Sequence, residues 1–185
     1  MLRILNFALL LLCFHTSFAQ NQKWSLNTDQ SEISYNASHV LHPWEGINKQ
    51  VKGVMLLDTE KNEIKELAVL TFIRDFDSKN SGRDAHALEV LEALSFPDVR
   101  FYSNLTENKN DSILIHGKLD FHGVIKNYTF VAKQQNTSDT MILSGTFDVK
   151  PTDFDIELPS FMMVKMEDLL QFKFDLEFAN DSSKK

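Results

Sequence analysis

Gly82-Arg83-Asp84-Ala85-His86-Ala87-Leu88-Glu89-Val90-Leu91-Glu92-Ala93-Leu94-Ser95-Phe96-Pro97-Asp98-Val99-Arg100-Phe101 is the stretch on which the reading of the chain turns. Leu88, Leu91 and Leu94 recur at a spacing of three, Ala87 and Val90 join them, and Glu89 and Glu92 face away, which predicts an amphipathic helix over about residues 83–95, turning its three leucines inward. Ser81 is placed to cap it, Asp84 lies in the first turn where the helix dipole favours an anion, and Pro97 ends it. From Val99 onward polar and apolar residues alternate again with period two, as they do before the helix. One helix therefore interrupts a run of strands.

Upstream, Ile33, Tyr35, Ala37 and His39 share a face after a turn at Thr28-Asp29-Gln30. Residues 41–46, broken by Pro43 and Gly46, read as a loop. Val51, Gly53, Met55 and Leu57 then alternate against Lys52, Val54, Leu56 and Asp58, residues 66–73 read as strand, and residues 75–82 as a polar loop. Downstream the inward faces are Val99, Phe101, Ser103 and Leu105; Ile113, Ile115, Gly117, Leu119 and Phe121; Tyr128, Phe130 and Ala132; and Met141, Leu143, Gly145, Phe147 and Val149. After a loop at 151–166 rich in aromatic residues and methionine, Leu170, Phe172, Phe174, Leu176 and Phe178 form the cleanest alternation of all. About eight strands joined mainly by short polar turns predict an all-β fold, an antiparallel meander closed into an eight-stranded barrel with the helix inserted between strands. Closure satisfies both edges. Gly53, Gly117 and Gly145, inward-facing in mid-strand, fit a curved wall or leave room inside it.

The 185 residues suit one domain with a substantial core. Met1-Leu2-Arg3 followed by an apolar run from Ile4 to Phe14 and a small-residue site at Ser17-Phe18-Ala19 read as a cleaved signal peptide over residues 1–19, leaving a barrel domain at 20–185 and a periplasmic location. That run falls short of the roughly 20 apolar residues a spanning helix needs, so no transmembrane segment is expected. The single cysteine, Cys13, lies within it, so the mature chain would rest on its core without a disulfide. Removing the leader takes away Arg3 and no acid, and the net charge moves from −7 to −8. An acidic balance of this kind argues against nucleic acid as a partner.

Fifteen phenylalanines, at least seven on one face of the strands, fit either a packed core or a lined cavity, because an eight-stranded barrel can be filled by side chains or hold one small ligand. A Met-rich closing segment, Phe161-Met162-Met163, accompanies them. His39, His42, His86, His116 and His122 form no recognisable metal-ligand pair, and no metal or cofactor is assigned. Neither a Gly-x-Ser-x-Gly elbow nor a mature cysteine offers a nucleophile, and Asp84 and His86 alone complete no catalytic set.

Arg83-Asp84-Ala85-His86, the helix after it and Phe96-Pro97-Asp98-Val99-Arg100-Phe101 resemble the Arg-Asp-x-His and Tyr-Pro-x-Ile-x-Phe signature of the YceI-like family of exported lipid-binding proteins. Gly117-Lys118-Leu119-Asp120-Phe121-His122-Gly123-Val124-Ile125-Lys126, Gly145-Thr146-Phe147 leading to Thr152-Asp153-Phe154-Asp155-Ile156, and Trp24 to Tyr35 are similar to three further family segments in the same order. The resemblance covers nearly the whole mature chain. Ile125, Asn127 and Asp155 depart from it where Thr, Pro and Gly are usual. It implies a lipocalin-like barrel holding a polyisoprenoid, a quinone-like molecule or a similar amphiphile without turnover. Phe72, Leu88, Leu91, Phe101, Phe121, Phe130, Phe147, Phe172 and Phe174 are then the candidate tail contacts, and Arg83 and His86 the candidates for the head group. Two other readings stand beside it: an enzyme acting on such a lipid through Asp84 and His86, and a packed barrel serving as a stress-response interaction module. The sequence leaves homodimer formation open.

Overall fold

The structure is a computed structural model that describes residues 21–39 and 42–181. Residues 1–19, read from the sequence as a leader and including Cys13, lie outside the described residues. Strand β1 (Asn21–Leu26) runs through a 3-10 turn at Thr28–Gln30 into β2 (Glu32–His39); β3 (His42–Asn48) bends into β4 (Lys52–Asp58); β5 (Glu63–Phe72) passes through a 3-10 turn at Ile73–Asp75 into the short β6 (Phe76–Asp77). Helix α1 (Ser81–Val90) follows. Then come β7 (Asp98–Lys109), β8 (Ser112–Phe121), β9 (Val124–Asn136), β10 (Thr140–Val149), a 3-10 turn at Pro151–Phe154, a small hairpin of β11 (Ser160–Phe161) and β12 (Val164–Lys165), and β13 (Leu170–Asn180).

All pairings are antiparallel, in the order β1-β4-β5-β7-β8-β9-β10-β13, and the ring closes where β1 meets β13 through Trp24↔Asn180 and Leu26↔Phe178. This is the eight-stranded barrel that the alternation predicts, with one helix between strands. Beyond the kinks β2, β3 and β6 continue β1, β4 and β5, β2 pairing with the first half of β13 through Leu170↔Ala37. Three of the eight staves are therefore bent toward the end that carries α1. Among the described residues no helix is long and apolar enough to cross a membrane.

Local physics corrects the sequence reading at five places. Residues 42–46 are strand, not loop: opposite β2, Pro43 faces Ser38, while β6 reaches only Ile47 and Asn48 on the other side, so Pro43 lies on an edge, where a strand tolerates proline. Helix α1 spans Ser81–Val90 rather than 83–95, and its cap is Asn80, whose side chain accepts from the Arg83 amide at 3.1 Å, rather than Ser81. Glu92 ends it in a left-handed conformation (φ 44°), with Glu92 N–H donating to Glu89 O and Ala93 N–H to Leu88 O in a Schellman pattern. That turn resets the phase: Val90, Leu91 and Ala93 pack on the core, and Leu94, expected inward, is fully exposed. A bulge between Ser103 and Leu105, held by Ser103 Oγ donating to His116 O at 2.6 Å, flips the parity of β7, so Leu105 also points out. At the tip of the β11–β12 hairpin Met162 and Met163 face solvent instead of closing the barrel.

Candidate ligand cavity

The barrel interior divides into two halves. Toward the β1–β13 seam, Met55, Ile113, Met141 and Phe178 are buried to 2 % exposure or less and fill the lumen. Toward α1 the packing opens into a cavity of about 230 Å³ whose lining is almost wholly apolar. The plug and the lined cavity, alternatives in the sequence, are both present, one at each end.

The wall carries a run of rings from β7, β9, β10, β13 and β2. Phe101 meets Phe130 at 4.6 Å, Phe130 meets Phe147 at 4.4 Å, and Phe147 stacks on Phe172 at 5.0 Å with planes 8° apart; Tyr35 continues the run at 6.1 Å from Phe172. Gly117 and Gly145 leave room for the rings of Phe101 and Phe174. A Cβ on Gly117 would fall 2.6 Å from Phe101 Cε2, and one on Gly145 would fall 2.8 Å from Phe174 Cζ. The room that mid-strand glycines leave is thus taken by aromatic rings from adjacent strands. Leu88 and Val90 of α1, with Leu91 just past its end, roof one side, and Ile156, Leu158 and Met166 the other.

Of the nine tail-contact candidates, Leu88, Leu91, Phe101, Phe121, Phe130, Phe147, Phe172 and Phe174 line the cavity. Phe72 does not. Leu67, Val69 and Thr71 of β5 face inward, so Phe72 alternates outward, where Lys52 and Arg74 lie over its ring at 5.4 and 5.0 Å. Tyr35, Trp44, Ile73, Ile156 and Met166 line the cavity without having been singled out. Tyr35 carried a signal in the inward face it shares with Ile33; Trp44 was hidden by the loop reading of Pro43.

Polar groups gather at the α1 edge. Arg83 and His86 both reach the cavity boundary. The Arg83 guanidinium lies 5.4 Å over the Trp44 ring, and no ion pair among the described residues engages it. His86 is exposed, with Nδ1 3.6 Å from Glu89. Asp84 accepts from Ser78 N–H at 3.1 Å and from Ser78 Oγ, which ties the start of the helix to the turn after β6. Asp84 and His86 thus have separate partners. Burial pushes the Tyr35 phenol above its ordinary range against a hydrogen bond from Trp44, so it stays neutral well past pH 7. The remaining histidines are dispersed: His39 Nε2 sits 3.1 Å from Val164 O, His42 packs by Trp44, His116 bonds Thr129, and His122 bonds Phe154 O. Among the described residues no three metal-ligating side chains converge.

The family model for the YceI-like domain matches residues 24–178. No curated protein sequence matches the chain significantly. Among solved structures, BcnA of Burkholderia cenocepacia superposes with a TM-score of 0.73 at 18 % identity, covering 82 % of this chain and 98 % of that one. A polyisoprenoid binding domain from Saccharophagus degradans implicated in plant cell wall breakdown gives a TM-score of 0.71 at 12 % identity, covering 85 % of this chain and 98 % of that one. The YceI protein of Campylobacter jejuni gives 0.63 at 22 % identity, with 74 % and 84 % covered. At these identities the likeness speaks for the fold.

Proposed function

This chain belongs to the YceI-like domain family, and from that premise we propose that it is an exported, non-enzymatic carrier or sequestering protein for a polyisoprenoid or a similar long-chain amphiphile. The observation that carries the reading is the apolar cavity walled by aromatic rings, with its few charged lining groups on α1 and in the turn after β5. Such a site rewards tail burial at about 0.8 kcal/mol per CH₂ and offers a polar rim to a head group. The S. degradans domain of the same fold, described as polyisoprenoid-binding, supports the ligand class. Arg83 and His86 are the proposed head-group residues, and the leader at 1–19 supports delivery to the periplasm.

Size adds a constraint. An apolar cavity of about 150 Å³ accepts benzene, so about 230 Å³ seats only a short stretch of a long prenyl chain. A longer tail must either lift the roof formed by α1 and residues 151–159 or trail from the mouth.

Native mass spectrometry of protein purified without detergent, before and after solvent extraction, tests the proposal. A co-purifying mass that extraction removes and added polyprenol restores is the expected result. A bare-chain mass with no polyprenol uptake would sink it. The enzyme reading predicts turnover abolished by Asp84→Asn; a carrier shows no turnover to lose.

A further inference from the structure

We infer that His122 is a pH-dependent latch joining the two halves of the cavity roof, closed when its imidazole is protonated; its effect on a ligand rests on the carrier reading above. His122 and Gly123 form the β8–β9 turn with φ of 53° and 75°, and the His122 side chain is only 9 % exposed. Nδ1 lies 3.0 Å from Phe154 O in the turn that leads into one roof half. A carbonyl only accepts, so Nδ1 carries the proton in the neutral ring. Nε2 is then a bare acceptor. It has no hydrogen-bond partner among the described residues, and the carboxylate of Glu92, another acceptor, stands 3.8 Å away on the tail of α1. Phe96, on the same tail, covers the imidazole at 4.5 Å.

Protonation reverses the sign of that contact. Nε2 gains an N–H and the ring a positive charge, so one side chain then donates to both roof halves at once, to Phe154 O and to Glu92. The other charged groups around it are already committed. Lys126 of β9 pairs with Asp153 at 3.2 Å and lies over the Phe154 ring, Asp120 of β8 sits opposite Ile125 and beside Arg100 in the ladder, and Asp155 is exposed. The exposed His86–Glu89 pair on α1 is a second histidine–carboxylate contact, so the decisive comparison removes Glu92 alone.

Amide exchange of the ligand-free protein at pH 5.5 and pH 8, corrected for intrinsic rates, reads the latch directly. The Ala93 and Phe96 amides, bonded to Leu88 O and Glu92 O, should be about threefold better protected at pH 5.5, the scale of a partly exposed ion pair. Glu92→Gln should abolish that difference, and so should His122→Asn, which suits the left-handed turn. Protection that is equal at both pH values in the wild type, or a difference that survives Glu92→Gln, overturns the latch. Release of dansyl-farnesol should slow by a similar factor at pH 5.5 in the wild type and ignore pH in Glu92→Gln. Release that ignores pH while exchange follows it overturns control of the site. A probe that never binds counts against the carrier reading and leaves amide exchange to decide the latch.

Discussion

Gly145 and Phe174 stand directly opposite each other on β10 and β13, and the Phe174 ring occupies the space where a Gly145 side chain would be. A Cβ there would come 2.8 Å from Phe174 Cζ and 2.5 Å from the Val131 carbonyl oxygen, and backbone cannot swing aside as a side-chain tip can. Gly145→Ala should therefore cost about 1–3 kcal/mol as an overpacked core position, a fall in melting temperature of roughly 2–12 °C. Gly82→Ala is the internal control. Only Asn80 Oδ1, at 3.4 Å, approaches its Cβ, and alanine in the first turn of α1 should stabilise by about 0.5–1 kcal/mol. Thermal melts of the two variants should move in opposite directions.

Asn48 is fully buried at the bend between β3 and β4, and its side chain serves three partners. Nδ2 donates to Thr71 Oγ1 and, at 3.2 Å, to Phe72 O, while Oδ1 accepts from Gln50 N–H at 2.7 Å. The bend is thus stitched to the end of β5. Asn48→Ala leaves buried groups unpaired and should cost about 2–3 kcal/mol. Urea titration checks this, and an unchanged midpoint would show the bend to be held by the strands alone.

What the sequence reveals of this fold depends on whether alternation goes uninterrupted. Leu170, Phe172, Phe174, Leu176 and Phe178 fall inward as read, because β13 pairs along its whole length and nothing shifts its parity. Leu105 and Leu94 are misread for one shared reason. A single residue in an unusual place, the bulge at Asn104 or the left-handed Glu92, moves every later side chain by one step, and neither residue type announces it. Pro43 misleads in the other direction, because its usual meaning as a strand breaker lapses on an unpaired edge. The cavity is legible in its Phe-rich wall but not in its extent. Whether Gly117 and Gly145 leave space or receive a ring depends on neighbours brought together only by the closed sheet.

Asp58 gives the base of the barrel an acid-sensitive element. Its Oδ1 accepts from Lys61 N–H at 3.1 Å and Glu60 N–H at 3.2 Å, and Lys65 Nζ stands 3.7 Å from Oδ2. The Lys61 hydrogen bond, aided by Lys65 and opposed by desolvation, holds this carboxyl below the ordinary carboxylate value. The folded pKa is depressed, so the carboxylate's contribution is complete above the unfolded value near 3.9 and is lost as pH falls through the folded one. Asp58→Asn should be less stable than the wild type at pH 6, and the gap should narrow steadily below about pH 4. A gap that stays constant from pH 6 to pH 2.5 would mean that the turn responds to shape and not to charge.

Arg83 is where the head group of the ligand can be interrogated. Its guanidinium rests on the Trp44 ring at the cavity boundary with no ion-pair partner among the described residues, so its charge is available to an anion at the mouth. Arg83→Met keeps an apolar stem against Trp44 while removing that charge. For a phosphate-bearing amphiphile, loss of a charge-assisted hydrogen bond of about 1.5–3 kcal/mol should weaken binding at least tenfold. Farnesol, of the same tail length, should bind wild type and variant alike, because tail burial is untouched. Trp44 reports both titrations from the mouth, and Trp24, the other tryptophan, is buried near the β1–β13 seam and serves as an internal reference. A tenfold loss for farnesyl phosphate alone assigns Arg83 to an anionic head group. Equal losses for both ligands would mean that Arg83 shapes the mouth through its packing on Trp44, and no loss for either would place the head group elsewhere on the rim.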